Sequence, residues 1–130
     1  MIAGCPFCAW EDDPDQRMVC RNEAAVFLQS ETRQGPLVGS GVIVPIRHAE
    51  TVFDLTPDEA RATFVLLADV KSWMERTYQP DGYTVGWNCG AVAGQEINHA
   101  HLHVIPRFKK EPYAGRGIRH WLKQESNRWR

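Results

Sequence analysis

The sequence predicts an α+β domain, a mostly antiparallel sheet of about five strands with one long helix and a short C-terminal helix or tail. Three observations carry that expectation. From His99 to Val104 the residues alternate strictly, His99, His101 and His103 against Ala100, Leu102 and Val104, which is the period of a half-buried strand. Between Thr56 and Tyr78 apolar residues recur at helical spacing behind a full set of helix-start signals. The other β-prone runs are short and bounded by turn residues, as sheet strands are.

Taken in chain order, Met18-Val19-Cys20 and Ala25-Val26-Phe27-Leu28 flank Asn22-Glu23 and form a hairpin, followed by a polar, Gly- and Pro-containing loop from Glu31 to Gly41. Val42 to Pro45 is continuously apolar, as a central strand is. Thr56 can cap the helix, Pro57 suits its first position and Glu59 completes a capping box. Ala60, Phe64, Leu67, Val70, Met74 and Tyr78, flanked by Leu66 and Trp73, form its core stripe, while Arg61, Asp69, Lys71, Glu75 and Arg76 lie mostly opposite. After a turn at Pro80-Asp81-Gly82, Tyr83 to Cys89 is a strand with Tyr83, Val85, Trp87 and Cys89 on one face and Thr84, Gly86 and Asn88 on the other. Gly90 to Gly94 is a small-residue connection that lets backbone amides approach a ligand closely. The histidine strand follows and is expected to stop at Pro106, which has no N–H for a ladder.

With 130 residues, 43% of them hydrophobic, the chain suffices for one domain spanning 1–130 and is short for two. Fifteen basic against sixteen acidic residues give no overall field to recruit nucleic acid or an anionic membrane, and no apolar run approaches spanning length. No basic region followed by an apolar stretch opens the sequence, so a soluble, cytoplasmic protein is expected.

Three imidazoles on one pleat are costly for a purely structural strand, because each brings two nitrogens that need partners when buried. Residues i and i+4 of a strand lie ~13 Å apart, so one ion cannot take all three, and at least one is left for other chemistry. Cys5 and Cys8, two residues apart, could wrap one side of a tetrahedral ion or act as a redox pair. The polar turn Glu11-Asp12-Asp13-Pro14-Asp15 that follows is not the helix a thioredoxin-like pair wants. Cys20 and Cys89 have no such spacing and suit small core positions.

The segment His99-Ala-His101-Leu-His103-Val-Ile resembles the signature of the histidine triad (HIT) superfamily of nucleotide hydrolases and transferases. The likeness extends to Val44-Pro45-Ile46-Arg47-His48, to Phe53-Asp54-Leu55-Thr56-Pro57-Asp58-Glu59, to Gly82-Tyr83, Asn88-Cys89-Gly90 and Ala93-Gly94-Gln95, covering roughly Cys5 to Phe108. It does not reach the basic tail from Lys109 to Arg130.

The resemblance implies a HIT-like fold, a homodimer, and attack by His101 on the α-phosphorus of a nucleotide, forming a covalent nucleotidyl-histidine. It implies that the main-chain carbonyl of His99 orients that imidazole, and that His103, Asn88, Gln95 and the amides from Gln95 to Ile97 hold phosphoryl oxygens. A structural zinc on Cys5, Cys8, His48 and His99 is implied as well. The expected activity is hydrolysis of a purine nucleotide derivative, a dinucleoside polyphosphate or nucleoside phosphoramidate. A nucleotidyl transferase or phosphorylase, or a nucleotide-binding adaptor without turnover, are the alternatives. Three positions depart from the pattern: Gln29 stands nearest the place of an acidic residue that grips the ribose, Ser40 replaces a frequent histidine, and Glu96 replaces a small hydroxyl residue that assists the leaving group.

Overall fold

The computed structural model describes all 130 residues. Strands β1 (Gln16–Arg21), β2 (Ala25–Ser30), β3 (Gly41–Pro45), β4 (Gly82–Trp87) and β5 (Leu102–Arg107) form one antiparallel sheet in the order β1-β2-β3-β5-β4, and helix α1 (Pro57–Tyr78) joins β3 to β4. The tail after Phe108 contains turns and one short 3-10 segment, Glu125–Asn127.

Both faces of the sheet are covered, which explains why β2 is apolar without alternation. Ala25, Phe27, Ile43, Leu102 and Val104 point toward α1 and pack on Leu66, Val70 and Met74. Val26, Leu28 and Val44 point the other way, beneath Cys5 and Phe7 of the N-terminal segment. That segment closes only part of its face. The remainder, running from β1 across to β5, is an open cleft.

The helix begins as its sequence dictates: the Thr56 hydroxyl accepts from the Glu59 N–H, and Glu59 returns the bond to the Thr56 N–H. Its buried side is rotated from the expected stripe. Ala62, Thr63, Leu66, Val70 and Met74 face the sheet, while Ala60 is exposed and Phe64 is 74% exposed. Two tethers hold that rotation: the Asn22 amide donates to the Ala62 carbonyl, and Arg47 makes a two-nitrogen fork with Glu59. Thr63, which is not on the expected stripe, can be buried because its hydroxyl donates to the Glu59 carbonyl.

The histidine strand is also shorter at its start and longer at its end than expected. Its ladder begins at Leu102, so His99 and His101 lie in the connection before it, and it continues through Pro106 to Arg107. Beyond Val104 no residue of β3 pairs with β5, which is the edge situation that tolerates a proline.

Gly41, where β3 opens onto the cleft, cannot carry a side chain: a Cβ there would lie 2.5 Å from the Leu28 carbonyl oxygen and 2.6 Å from the Phe27 ring. Gly41→Ala is expected to destabilise the domain by about 1–3 kcal/mol, measured by denaturant unfolding. The Arg47 fork and the cap hold the Glu59 carboxyl down at about 2. Its contribution is therefore complete above the ordinary carboxylate range and is lost as pH falls toward about 2. Glu59→Ala should cost ~1 kcal/mol at neutral pH. The gap between variant and wild type should close in acid thermal melts.

Candidate active site and metal centre

Cys5, Cys8, His48 and His99 converge from three parts of the chain, and their ligand atoms all lie within 4.8 Å of one another. The Cys5 sulfur is 3.4 Å from His99 Nδ1, and the Cys8 sulfur is 3.3 Å from His48 Nδ1 and 3.6 Å from His99 Nδ1. A tetrahedral zinc with ordinary Zn–S and Zn–N bonds sets its ligands about 3.5 Å apart, so these residues fit that ion. The far nitrogen of His99, Nε2, lies 2.7 Å from the Pro45 carbonyl, a partner that leaves Nδ1 as the metal-facing nitrogen. Burial, with His48 and His101 close by, pushes the His99 imidazole down, as a neutral ligand requires. Burial also pushes the Cys5 thiol up, so a thiolate there calls for an adjacent cation.

His99 also acts through its backbone. Its carbonyl oxygen is 2.8 Å from His101 Nδ1, and a hydrogen bond there places the proton on Nδ1 and frees Nε2 as a lone pair. Phe7, buried between the two cysteines, holds the His101 ring at a centroid distance of 5.1 Å, and His103 stands 5.0 Å from it on the other side. Burial and the nearby His101 push the His103 imidazole down, against the pull of Glu96.

The two imidazoles line a cleft of about 440 Å³ together with Asn88, Gly94, Glu96 and Ile97 at one end and Gln16, Ser30, Arg33 and Gln34 at the other, over a floor that includes Leu28 and Val42. That volume suits a small ligand of nucleotide size. The amide N–H groups of Glu96 and Ile97 have no acceptor within the protein. They and the Asn88 amide are the free donors near His101 and His103.

Two expected binding residues are committed elsewhere. Gln95 is buried and clamps its own loop: its side chain accepts from the Gly90 N–H and donates to the carbonyls of Glu50 and Ile97, while its N–H bonds to the Gly90 carbonyl. It shapes the turn that frees the next two amides, with Gly94 at φ 95° completing that turn. Gln29 lies on the helix side of β2, 1% exposed, donating to the Gly39 carbonyl and the Tyr78 hydroxyl and accepting from Arg17. The strand period puts Ser30 in the cleft instead. Gln16, Arg33 and Phe7 were not anticipated there. Of these only Gln16 was legible, as the cross-strand partner of Ser30 once the hairpin register is known. Ser40, noted as a departure, also lines the cleft.

An oriented imidazole, a second imidazole and free amide donors thus share one cleft of an antiparallel α+β domain, with a Cys2His2 cluster behind them. Residues 14–110 match the model of the HIT domain, and the chain belongs to that family. It is 41% identical over 73 residues to an uncharacterized HIT-like protein of Methanocaldococcus jannaschii, covering 55% of this chain and 54% of that protein. It is 32% identical over 75 residues to the asymmetrical bis(5'-nucleosyl)-tetraphosphatase of Schizosaccharomyces pombe, covering 58% of this chain and 41% of that enzyme. The bis(5'-adenosyl)-triphosphatase of Dictyostelium discoideum is 34% identical over 73 residues, 56% of this chain and 49% of that enzyme. The chain thus spans about half the length of these relatives. A HIT family protein of Bacillus subtilis superposes with a TM-score of 0.72 at 27% identity, over 82% of this chain and 75% of that one. A Zn-bound histidine triad family protein of Mycobacterium smegmatis has the same fold, with a TM-score of 0.71 at 23% identity over 88% and 82%.

If the four ligands hold zinc, elemental analysis of purified protein should give about one ion per chain. Cys5→Ala should lower both the metal content and the unfolding temperature, because binding energy at such a site is folding energy. A metal-free wild type of unchanged thermal stability would reject the site.

Proposed function

We propose that the protein hydrolyses a purine nucleotide derivative, a dinucleoside polyphosphate or nucleoside phosphoramidate, at its α-phosphorus through a nucleotidylated His101. The observation that carries this reading is the 2.8 Å contact from His101 Nδ1 to the His99 carbonyl, which directs Nε2 into the cleft. The two relatives named as dinucleoside polyphosphate hydrolases support the substrate class.

In the first step Nε2 of His101 forms a bond to phosphorus, and the bond to the leaving group breaks. In the second, water attacks the same phosphorus, its proton is lost, and the phosphorus–nitrogen bond breaks. The equatorial oxygens gather negative charge in both steps. The Asn88 amide, His103 and the N–H groups of Glu96 and Ile97 are the donors set in advance for that charge. We assign zinc to Cys5, Cys8, His48 and His99. When bound it would supply rigidity to His99, and so to the carbonyl that orients His101, rather than chemistry at phosphorus.

We also propose a homodimer. The outer edge of β4 has no strand partner, and Phe53, Phe64 and Val65 are more than half exposed, which offers a second copy both ladder bonds and apolar area.

Incubation with diadenosine polyphosphates and adenosine phosphoramidate, read by mass spectrometry, tests the assignment. Wild type should release AMP and form a stoichiometric adduct on rapid quench. His101→Gly should lose several orders of magnitude in turnover while keeping AMP affinity, because the nucleophile is gone and the donors remain. A variant with more than about a tenth of wild-type activity would reject the nucleophile, since tenfold is only ~1.4 kcal/mol of barrier.

A further inference from the structure

The sheet face that carries the catalytic cleft continues past His103. On β5 the strand period keeps His103, Ile105 and Arg107 on one face, and their cross-strand partners on β4 are Gly86, Thr84 and Gly82. The tail folds down onto this stretch. Arg107 donates to the carbonyls of Tyr113 and Arg116, and Ile118 stands 3.2 Å from the place that a Cβ on Gly86 would take. Between tail and strands lies a second cavity of about 310 Å³, whose lining includes Thr84, Arg107, Lys109, Gly115, Arg116 and Gly117. It meets the first at one residue pair. Ile105 lines the catalytic cleft, and its partner Thr84 lines the tail cavity.

Most polar groups around this second cavity are already bonded. Glu111 is paired with Arg107, the Asp81 carboxylate accepts from the Lys109 N–H at 2.7 Å, and the rest of the Arg107 guanidinium goes to Thr84 and the tail carbonyls. Arg116 is the exception. It is half-buried, its guanidinium carbon lies 4.4 Å from the centroid of the Tyr113 ring and 5.7 Å from that of Trp121, and its side chain enters none of the protein's ion pairs or hydrogen bonds. Two aromatic rings thus hold a charged fork in place and leave its five N–H donors without acceptors. The N–H groups of Gly115 and Gly117 beside it also have no acceptor within the protein. A guanidinium fork and free amides in one cavity suit an anion with several oxygens.

We propose that Arg116 binds the polyphosphate of the leaving group, so that the tail selects dinucleoside polyphosphates over phosphoramidates. The assignment rests on the proposed function, which puts the α-phosphorus at His101. At its histidine end the catalytic cleft is lined by no Lys or Arg, and its one charged side chain there is Glu96. A polyphosphate displaced from His101 therefore meets its cation in the neighbouring cavity. From the row of His103 and Gly86 to the row of Ile105 and Thr84 is one strand repeat of ~7 Å, within reach of a short phosphate chain. The amine leaving group of a phosphoramidate carries no phosphate and has no use for that cation.

The test compares wild type, Arg116→Leu and Arg116→Lys for kcat/KM on diadenosine tetraphosphate and on adenosine phosphoramidate. Inorganic tripolyphosphate is added as an inhibitor of the phosphoramidate reaction, and each protein is melted. Wild type should be inhibited by tripolyphosphate more strongly than by inorganic phosphate, and less so as salt rises. Arg116→Leu should lower the tetraphosphate-to-phosphoramidate ratio by about tenfold or more, through KM, and raise the tripolyphosphate inhibition constant by a like factor. Arg116→Lys, which keeps the charge without the fork, should fall between. An unchanged ratio in Arg116→Leu overturns the proposal, as does an equal loss on both substrates with a lowered melting temperature, which would make Arg116 a brace for the tail. Wild type indifferent to tripolyphosphate overturns it whether or not the variants fold. If wild type hydrolyses both substrates and these outcomes appear, the leaving-group assignment alone falls. If wild type hydrolyses neither, the proposed function falls with it.

Discussion

One buried histidine ties the molecule together. His99 is fully enclosed, and three of its polar groups have partners: Nδ1 faces the sulfurs of Cys5 and Cys8, Nε2 meets the Pro45 carbonyl, and its own carbonyl meets His101 Nδ1. The N-terminal segment, the end of β3 and the start of β5 are thereby fixed to one imidazole. A shift of that ring would move the His101 lone pair, so the rigidity of the cysteine–histidine cluster bears directly on the chemistry of the cleft. Packing reinforces the tie, since Phe7 lies between the two cysteines and touches both rings.

The sheet turns the same constraint into a binding surface. Its period of two sends Phe27, Ile43, Leu102 and Val104 to the helix and sends Leu28, Val42 and His103 to the cleft. Cross-strand register then aligns the cleft floor: His103 pairs with Val42, Val42 with Leu28, and Leu28 with Met18, one row across four strands. The ligand-facing residues therefore come from distant parts of the sequence, yet their spacing is set by strand separation rather than by loops. A residue moved by one position along β2 changes face altogether, which is why Gln29 is a helix-side hydrogen-bonding residue and Ser30 a cleft residue.

What the sequence made legible follows the same division. Strong local rules were readable: the Thr56–Glu59 box, the alternation through His103, the apolar run of β3, and the Cys5–Cys8 spacing. The resemblance supplied the partners His48 and His99 that complete the cluster. Readings that depend on a tertiary choice went astray. The helix stripe held at Val70 and Met74 with its flank Leu66 but missed at Ala60 and Phe64, because the Asn22 and Arg47 tethers, forty and twelve residues distant from their partners, choose the rotation at the helix start. Gln95 has the chemistry of a ligand donor, and only the closure of its loop reveals that both ends of its amide are already bonded. Arg33 and Gln34 sit in a loop whose path no periodicity describes.

The distribution of satisfied and free polar groups separates scaffold from site. Around the cleft, groups that fix geometry are bonded twice or more, as Gln95, Gln29 and Ser30 are. At the other end of the domain, Arg107 spends its guanidinium on Thr84, Glu111 and the carbonyls of Tyr113 and Arg116, pinning the tail so that Ile118 lies over Gly86. Against that background the unbonded groups stand out: the N–H groups of Glu96 and Ile97 near the histidines, and the amide of Gln16 at the far end. Folded proteins leave few buried groups such as the Gln16 oxygen unpaired, whereas the N–H groups of exposed Glu96 and half-buried Ile97 are open to water or a ligand. Here they occupy the two ends of a single cleft. In the proposed function the N–H groups of Glu96 and Ile97 face the phosphoryl oxygens that gather negative charge, so the end of the cleft that holds His101 is the end left with donors to spare.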